Sequence, residues 1–313
     1  MSARIVMKLL VERREQIEDD WIRLSFRHSV RPHLPAWTPG AHVDLRLEDG
    51  IIRQYSLTSD PDDLSLYSII VKREKKGRGG SNWVHDNLTI GREVRVTKPR
   101  NQFQVSTERS LLIAGGIGVT PLMSMARSLS ESNLLDAFHF CTKKPVPTVE
   151  KELKRWCGSA LHTYISNDPT SEKLNLPALI RSISQDMHIV CCGPDRLMSE
   201  VRDLTGGWDP KKLHFEVFNN SATEDHEAQP FEVTVLSTGE TLLVPANKSI
   251  LDVLNKAGYV VPSSCRQGIC GTCECEFSSG EVIHLDSLLQ PADRKDRLLP
   301  CVSRAKGSVT IDV

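Results

Sequence analysis

Between residues 4 and 103, apolar and polar positions alternate in six short bursts, at 4–11, 21–26, 42–47, 51–58, 66–73 and 93–97. A period of two is what a half-buried β-strand requires, because successive side chains point to opposite faces. Turn chemistry separates the bursts, at Trp37-Thr38-Pro39-Gly40, Asp49-Gly50, Asp60-Pro61 and Gly77-Arg78-Gly79-Gly80. Six strands punctuated in this way predict a six-stranded antiparallel β-barrel. The rhythm changes at Ser110. A short apolar run at 111–114 meets the turn Gly115-Gly116-Ile117-Gly118, and Thr120-Pro121 reads as an N-cap followed by proline at the first helical position of a helix to about Leu129. Further buried runs at 137–141, 162–165, 188–192 and 213–217 alternate with amphipathic stretches such as Leu197, Met198, Val201 and Leu204. Strand and helix in alternation predict an α/β domain with a parallel sheet.

A polar, unpatterned stretch ending at Pro230 reads as a linker. Beyond it, 231–236 and 242–244 form a hairpin pattern around Ser237-Thr238-Gly239. A helix with Ile250, Val253, Leu254 and Ala257 on one face follows, then late strands at 274–277 and 309–313. The chain therefore reads as a barrel domain over 1–105, an α/β domain over 106–220, a linker over 221–230 and a small α+β domain over 231–313.

At 313 residues two or three compact units are expected. A net charge of −1, with both signs interspersed, offers no basic face for nucleic acid. No apolar run approaches the ~20 residues of a membrane span. Scattered thiols at Cys141, Cys157, Cys191, Cys192 and Cys275 fit a reducing compartment, so a cytoplasmic protein is expected.

The remaining four cysteines are not scattered. Cys265, Cys270 and Cys273, with Cys301 downstream, make a C-x4-C-x2-C…C set, the spacing of a plant-type [2Fe-2S] cluster. With nine cysteines in the chain, chance would place three at those offsets about once in a hundred such sequences. Zinc prefers pairs of short C-x2-C knuckles and fits less well. Gly268 and Gly271 let backbone N–H groups approach the electronegative centre. Cys275, two residues past Cys273 in an alternating strand, reads as packing. Gly115-Gly116-Ile117-Gly118 after a strand and before a helix offers N–H groups and a helix dipole to a pyrophosphate, although the spacing departs from G-x-G-x-x-G. Cys192-Gly193-Pro194 ends another strand in a comparable turn. Either could be a close-packing turn alone; together they favour a nicotinamide site. His85, His139 and His284 read as structural.

Arg53-Gln54-Tyr55-Ser56-Leu57, the glycines Gly77, Gly79 and Gly80 before Ser81, then Gly115 to Pro121 and Cys192-Gly193-Pro194 resemble, in that order, the ferredoxin-NADP reductase superfamily. With a C-terminal segment similar to a plant-type ferredoxin (β-grasp), the whole chain resembles the phthalate dioxygenase reductase family, which includes vanillate demethylase reductases. The resemblance implies FMN, NADH and a [2Fe-2S] cluster in one chain. Arg53 would pair with the flavin phosphate. Tyr55 and Leu57 would lie along the flavin and Ser56 near its N5, while Val71, Lys72 and Arg73 would contact the isoalloxazine edge. Gly79, Gly80 and Ser81 would close on the phosphate. Gly115, Gly116, Gly118, Thr120, Pro121, Cys192, Gly193 and Pro194 would receive the nicotinamide, and Phe218 would cover the flavin until nicotinamide displaces it. Ser56, Thr120, Cys192 and Phe218 are thus the implied catalytic set, and Cys265, Cys270, Cys273 and Cys301 the metal ligands. NAD is favoured over NADP because Cys141 to Pro145 lacks a serine–arginine pair for a 2′-phosphate, although Lys143 and Lys144 keep NADP open. Asp168 would accept from a ribose hydroxyl or serve only a turn.

The implied activity is that of a monomeric reductase component that takes hydride from NADH and passes single electrons to a terminal Rieske-type aromatic oxygenase or demethylase. A plant-type cluster near −400 mV can reduce a Rieske centre by about 250 mV or more, which permits that partner without selecting it. Two alternatives stand: a cluster-bearing carrier or sensor without nicotinamide activity, and the same reductase chemistry serving a non-Rieske monooxygenase.

Overall fold

In the computed structural model, residues 5–48, 51–75, 79–104, 107–218, 228–263 and 265–313 are described. They form two compact units that divide between Glu216 and Val217. The turn at Asp49-Gly50, residues Gly77 and Arg78, and most of the expected linker lie outside the described residues.

In the first unit, β1 (Val6–Glu18), β2 (Trp21–His28), β3 (His42–Arg46), β4 (Ile52–Ser56), β5 (Tyr67–Lys72) and β6 (Glu93–Thr97) form one antiparallel sheet in the order β4-β3-β6-β1-β2-β5. An isolated bridge between Leu57 and Ile69 brings its two edges together. The alternation explains the core. Leu9, Val11, Ile22, Leu24, Phe26, Val43, Leu45, Ile69, Val71, Val94 and Val96 all point inward into one cluster, each contributing about 1.5–3 kcal/mol. β1 runs to Glu18, past the apolar pattern that ends at Val11, because cross-strand ion pairs from Arg27 to Glu12 and Arg23 to Glu15 continue the ribbon. One element has no strand periodicity: α1 (Gly80–Asn87) follows the glycine turn directly.

The same unit continues with β7 (Ser110–Gly115), α2 (Val119–Glu131), β8 (Leu135–Thr142), α3 (Pro147–Cys157), β9 (Leu161–Ile165), α4 (Leu176–Ser182), β10 (His188–Cys192), α5 (Asp195–Leu204) and β11 (Leu213–Glu216). The sheet is parallel in the order β11-β10-β7-β8-β9. β7 is buried at every position, as a central parallel strand should be. Strand order reverses about β7, so the C-terminal ends of β7 and β10 border a switch-point crevice. The barrel and this sheet are tied together: the Gly40 N–H donates to Ser124 Oγ at 3.1 Å, Arg23 pairs with Glu152 at 2.7 Å, and Arg127 pairs with Asp60.

The second unit holds β12 (Phe231–Val235), β13 (Thr241–Val244), α6 (Ile250–Lys256), β14 (Cys275–Ile283), β15 (Arg297–Leu298) and β16 (Arg304–Asp312) in a mixed sheet, order β13-β12-β16-β14-β15. A capping box starts α6, with the Ser249 hydroxyl accepting from the Asp252 N–H at 3.1 Å. Buried Arg304 lies over the Phe231 ring and donates to the carbonyls of Gln229, Pro245 and Lys248, which fixes the entry of the chain into this unit. Among the described residues, no helix is long and apolar enough to cross a membrane.

Candidate functional site

β4 carries Arg53, Tyr55 and Ser56 at the open edge of the barrel sheet. The Arg53 side chain lies against the start of α1, so that a Cβ on Gly80 would come within 2.6 Å of Arg53 Cγ. Gly79 precedes the helix at φ 78°, a left-handed conformation natural to glycine. Arg53 and the triplet Gly79, Gly80 and Ser81, separated by more than twenty residues of sequence, thus share one corner. The donor set there, helix N–H groups beside a guanidinium, suits a phosphate. The Ser81 hydroxyl already accepts from the Glu74 N–H at 2.9 Å, and Arg73 pairs with Asp86 at 2.6 Å.

Two residues along β4 the Tyr55 ring is half-buried against the barrel core, and burial raises its phenol. Next to it the Ser56 hydroxyl is buried and has no hydrogen-bond partner among the described residues. A buried orphan hydroxyl costs about 1–3 kcal/mol, and the expected cause is a missing ligand. This fits a flavin whose ring edge meets Ser56. Leu57 and Val71 are fully buried, Lys72 and Arg73 half-buried.

The two glycine turns of the parallel sheet meet. A Cβ on Gly115 would come within 2.6 Å of Pro194 Cδ, a Cβ on Gly193 within 2.9 Å of the Gly115 backbone, and one on Gly118 would collide with the Cys192 carbonyl. The glycines at 115, 118 and 193 are therefore required by the close packing of β7 and β10 ends, while Gly116, at φ 54°, faces open space. Thr120 does not cap the helix. The chain passes through a 3-10 turn at Gly116–Gly118 and enters α2 already helical at Val119, so no extended residue remains to act as a side-chain cap. The Thr120 hydroxyl instead donates to the Ile117 carbonyl at 3.0 Å, and Pro121 sits inside the first turn. Asp168 serves the turn, accepting from the Thr170 N–H and hydroxyl at 2.8 and 2.6 Å. Phe218 is half-buried just past β11, among the residues of the second unit.

One residue of this region was not expected from the sequence. Glu216 ends β11 directly opposite Cys192, with Oε2 buried and without a hydrogen bond. Burial pushes its carboxyl up to about 8, and burial together with the facing Glu216 raises the Cys192 thiol well above its usual range.

In the second unit Cys265, Cys270, Cys273 and Cys301 are all buried. Their sulfurs converge as two hydrogen-bonded pairs, 265 with 270 and 273 with 301. Backbone N–H groups of Gln267 and Ile269 point at the Cys265 sulfur, that of Thr272 at Cys270 and that of Gly268 at Cys301. Such donors stabilise sulfur carrying negative charge, the condition of an iron–sulfur cluster. Asp286 braces the loop. Its Oδ1 accepts from the Leu288 and Leu289 N–H groups at 3.1 and 2.7 Å, and the Ser287 N–H donates to the Gly268 carbonyl at 3.1 Å. Half-buried Cys275 pairs with Leu298 in the sheet, and burial pushes its thiol up to about 12.

Family comparison agrees with both sites. The oxidoreductase FAD-binding domain model matches residues 8–105 and the 2Fe-2S iron-sulfur cluster binding domain model matches 233–306. Fold and sites together define a flavin- and [2Fe-2S]-binding oxidoreductase. The chain is 37% identical to a vanillate O-demethylase oxidoreductase of Pseudomonas sp. (strain HR199 / DSM 7063), over 98% of this chain and 99% of that one. A solved phthalate dioxygenase reductase superposes with a TM-score of 0.80 at 34% identity, covering 98% of both chains. An intact type IV self-sufficient cytochrome P450 monooxygenase superposes with a TM-score of 0.78 at 30% identity, covering 98% of this chain and 41% of that one. The chain belongs to the phthalate dioxygenase reductase family.

Proposed function

We propose that the chain is the monomeric, cytoplasmic, NADH-dependent reductase component of an aromatic-ring oxygenase or demethylase, with FMN as its flavin and a Rieske-type oxygenase as its acceptor. The proposal assigns FMN to the barrel over 1–105, nicotinamide to 106–220, a linker to 221–230 and the cluster to 231–313. One observation carries it: Arg53 lies against the N-terminus of α1 while Ser56, three residues on, presents a buried hydroxyl without a partner. A mononucleotide needs just such a phosphate corner and ring edge.

Flavin, when bound, supplies the conversion of a hydride pair into single electrons, and the cluster a one-electron exit. The side chains bind and orient. Arg53, Gly79, Gly80 and Ser81 hold the phosphate. Tyr55, Leu57, Val71, Lys72 and Arg73 seat the ring, and Ser56 places a hydroxyl at the position where hydride arrives. Gly115, Gly116, Gly118, Thr120 and Pro121 on one turn, and Cys192, Gly193 and Pro194 on the other, line the place for nicotinamide. Burial of its carboxyl raises Glu216 to about 8, which favours the neutral form beside Cys192. Phe218 serves as the aromatic cover, and Cys265, Cys270, Cys273 and Cys301 hold the cluster.

Mass spectrometry of the released cofactor, with iron and sulfide counted on the same sample, should return FMN and two of each per chain. Anaerobic NADH should bleach the flavin. A chain with iron but no flavin would instead be a carrier, and FAD would overturn the cofactor assignment. The likeness to a self-sufficient P450 favours a second reading in which a haem monooxygenase accepts the electrons. Pairing assays with purified Rieske and haem oxygenases separate the two.

A further inference from the structure

α1 is eight residues long, too short to be stable by itself, and only Gly80, Val84 and His85 in it are buried. Val84, the half-buried Trp83 and the C-cap Leu88 pack on the barrel core, and a set of specific bonds to the end of β5 gives the helix its register. Asp86 pairs with Arg73, the Ser81 hydroxyl accepts from the Glu74 N–H, and Asn82 donates to the Glu74 carbonyl at 3.3 Å. These three are solvent-exposed, and exposed contacts of this kind contribute little. The fourth is not. His85, 5% exposed, places Nε2 3.0 Å from the Val71 carbonyl. A carbonyl only accepts, so Nε2 carries the proton. Val71 lies in β5, opposite Ile22 of β2, so the imidazole ties α1 directly to the barrel sheet. From the other side, Arg14 donates to the carbonyls of His85 and Leu88 at 3.0 and 3.4 Å.

We infer that His85 is a positioning residue for the flavin: by latching α1 to the Val71 carbonyl it fixes the distance between the phosphate corner at Gly79, Gly80 and Ser81 and the ring edge at Val71 to Arg73. The inference rests on the flavin reading proposed above. His85 itself touches neither end of the ligand. Without the latch the helix N-terminus loses its register with Arg53, while the ring site on β4 and β5 persists. The loss therefore falls on the phosphate and spares the ring.

The test compares FMN with riboflavin, which has the same ring and no phosphate, by flavin-fluorescence quenching on the full-length chain freed of its flavin. In His85→Leu the ratio of FMN to riboflavin affinity should drop about tenfold, the cost of one buried hydrogen bond, with riboflavin affinity nearly unchanged. In His85→Gln, whose Nε2 reaches the same carbonyl, the ratio should recover. An unchanged ratio in His85→Leu, or equal losses for the two flavins, would overturn the inference. Should His85→Leu not fold, His85→Asn decides the matter: its shorter amide should lose the ratio that His85→Gln keeps, and equal behaviour of the two overturns the latch. Failure of the unaltered chain to bind any flavin would instead remove the functional proposal itself.

Discussion

The cysteine unit and the larger unit organise their chemistry in opposite ways. At the cluster loop, the reactive groups are four side chains of one residue type, and the backbone serves them by pointing N–H groups at sulfur. At the meeting of β7 and β10 the roles are exchanged. There the backbones themselves come together, and the conspicuous feature is the lack of side chains at Gly115, Gly118 and Gly193. The first design rests on the identity of four side chains; in the second, an atom added at Gly115, Gly118 or Gly193 would meet a neighbour within 3 Å. This contrast can be broken by substitution, and the expected effects run from complete loss to a change of slope with pH.

Cys270→Ser should have the largest effect and the narrowest. Serine is a poor ligand for iron, so delivery to cytochrome c or an oxygenase should fall to background, while NADH still bleaches the flavin at an unchanged rate. Equal loss of both activities, measured in one stopped-flow series, would mean that the two units do not divide the chemistry.

Gly118→Ala tests the other design. The new methyl would collide with the Cys192 carbonyl, a backbone atom that cannot swing aside. Destabilisation of about 3 kcal/mol is expected from overpacking, read as a lower midpoint in urea for the first unit. Cluster absorbance should be untouched. A neutral result would show that the crevice walls are less rigid than their spacing implies.

This contrast also explains what could be read from the sequence. Four identical side chains at fixed offsets are visible in one dimension, and so is the alternation that builds the barrel. Close approach between backbones is not: Gly115 and Gly193 are 78 residues apart, and although their turns read as one site, their direct contact shows only in three dimensions. Thr120-Pro121 resembled a helix start because the residue types fit, yet the preceding 3-10 turn had already set the helical rise. α1 went unread because it is only eight residues long and buries little beyond Val84, with Trp83 half-buried, its register coming from bonds such as the histidine–carbonyl one. Glu216 was hidden for a similar reason, since its buried oxygen is evident only once Cys192 lies opposite.

Ser56→Ala separates ligand chemistry from stability. The hydroxyl has no partner among the described residues, so its removal should leave the stability of the flavin-free chain unchanged or slightly raised. The rate of flavin reduction by NADH should nevertheless fall about 30-fold, some 2 kcal/mol of barrier. A large stability loss with normal hydride transfer would give the hydroxyl a structural duty and undo its assignment to the flavin.

Glu216→Gln should show itself only as a slope with pH, and its sign is fixed. Burial raises the carboxyl from 4.5 to about 8 in the folded state. Between those values the folded chain holds a proton that the unfolded chain has released, so the native state loses stability as pH rises through the window. The amide cannot titrate. Relative to the unaltered protein, the variant should therefore gain stability steadily from about pH 4.5 to about pH 8, by about 1 kcal/mol per pH unit, and show no further change above it. Parallel stability curves across that range would mean that Glu216 is ionised and solvated at neutral pH. The crevice wall beside Cys192 would then carry a charge, and nicotinamide would meet a negative surface where an uncharged one is expected.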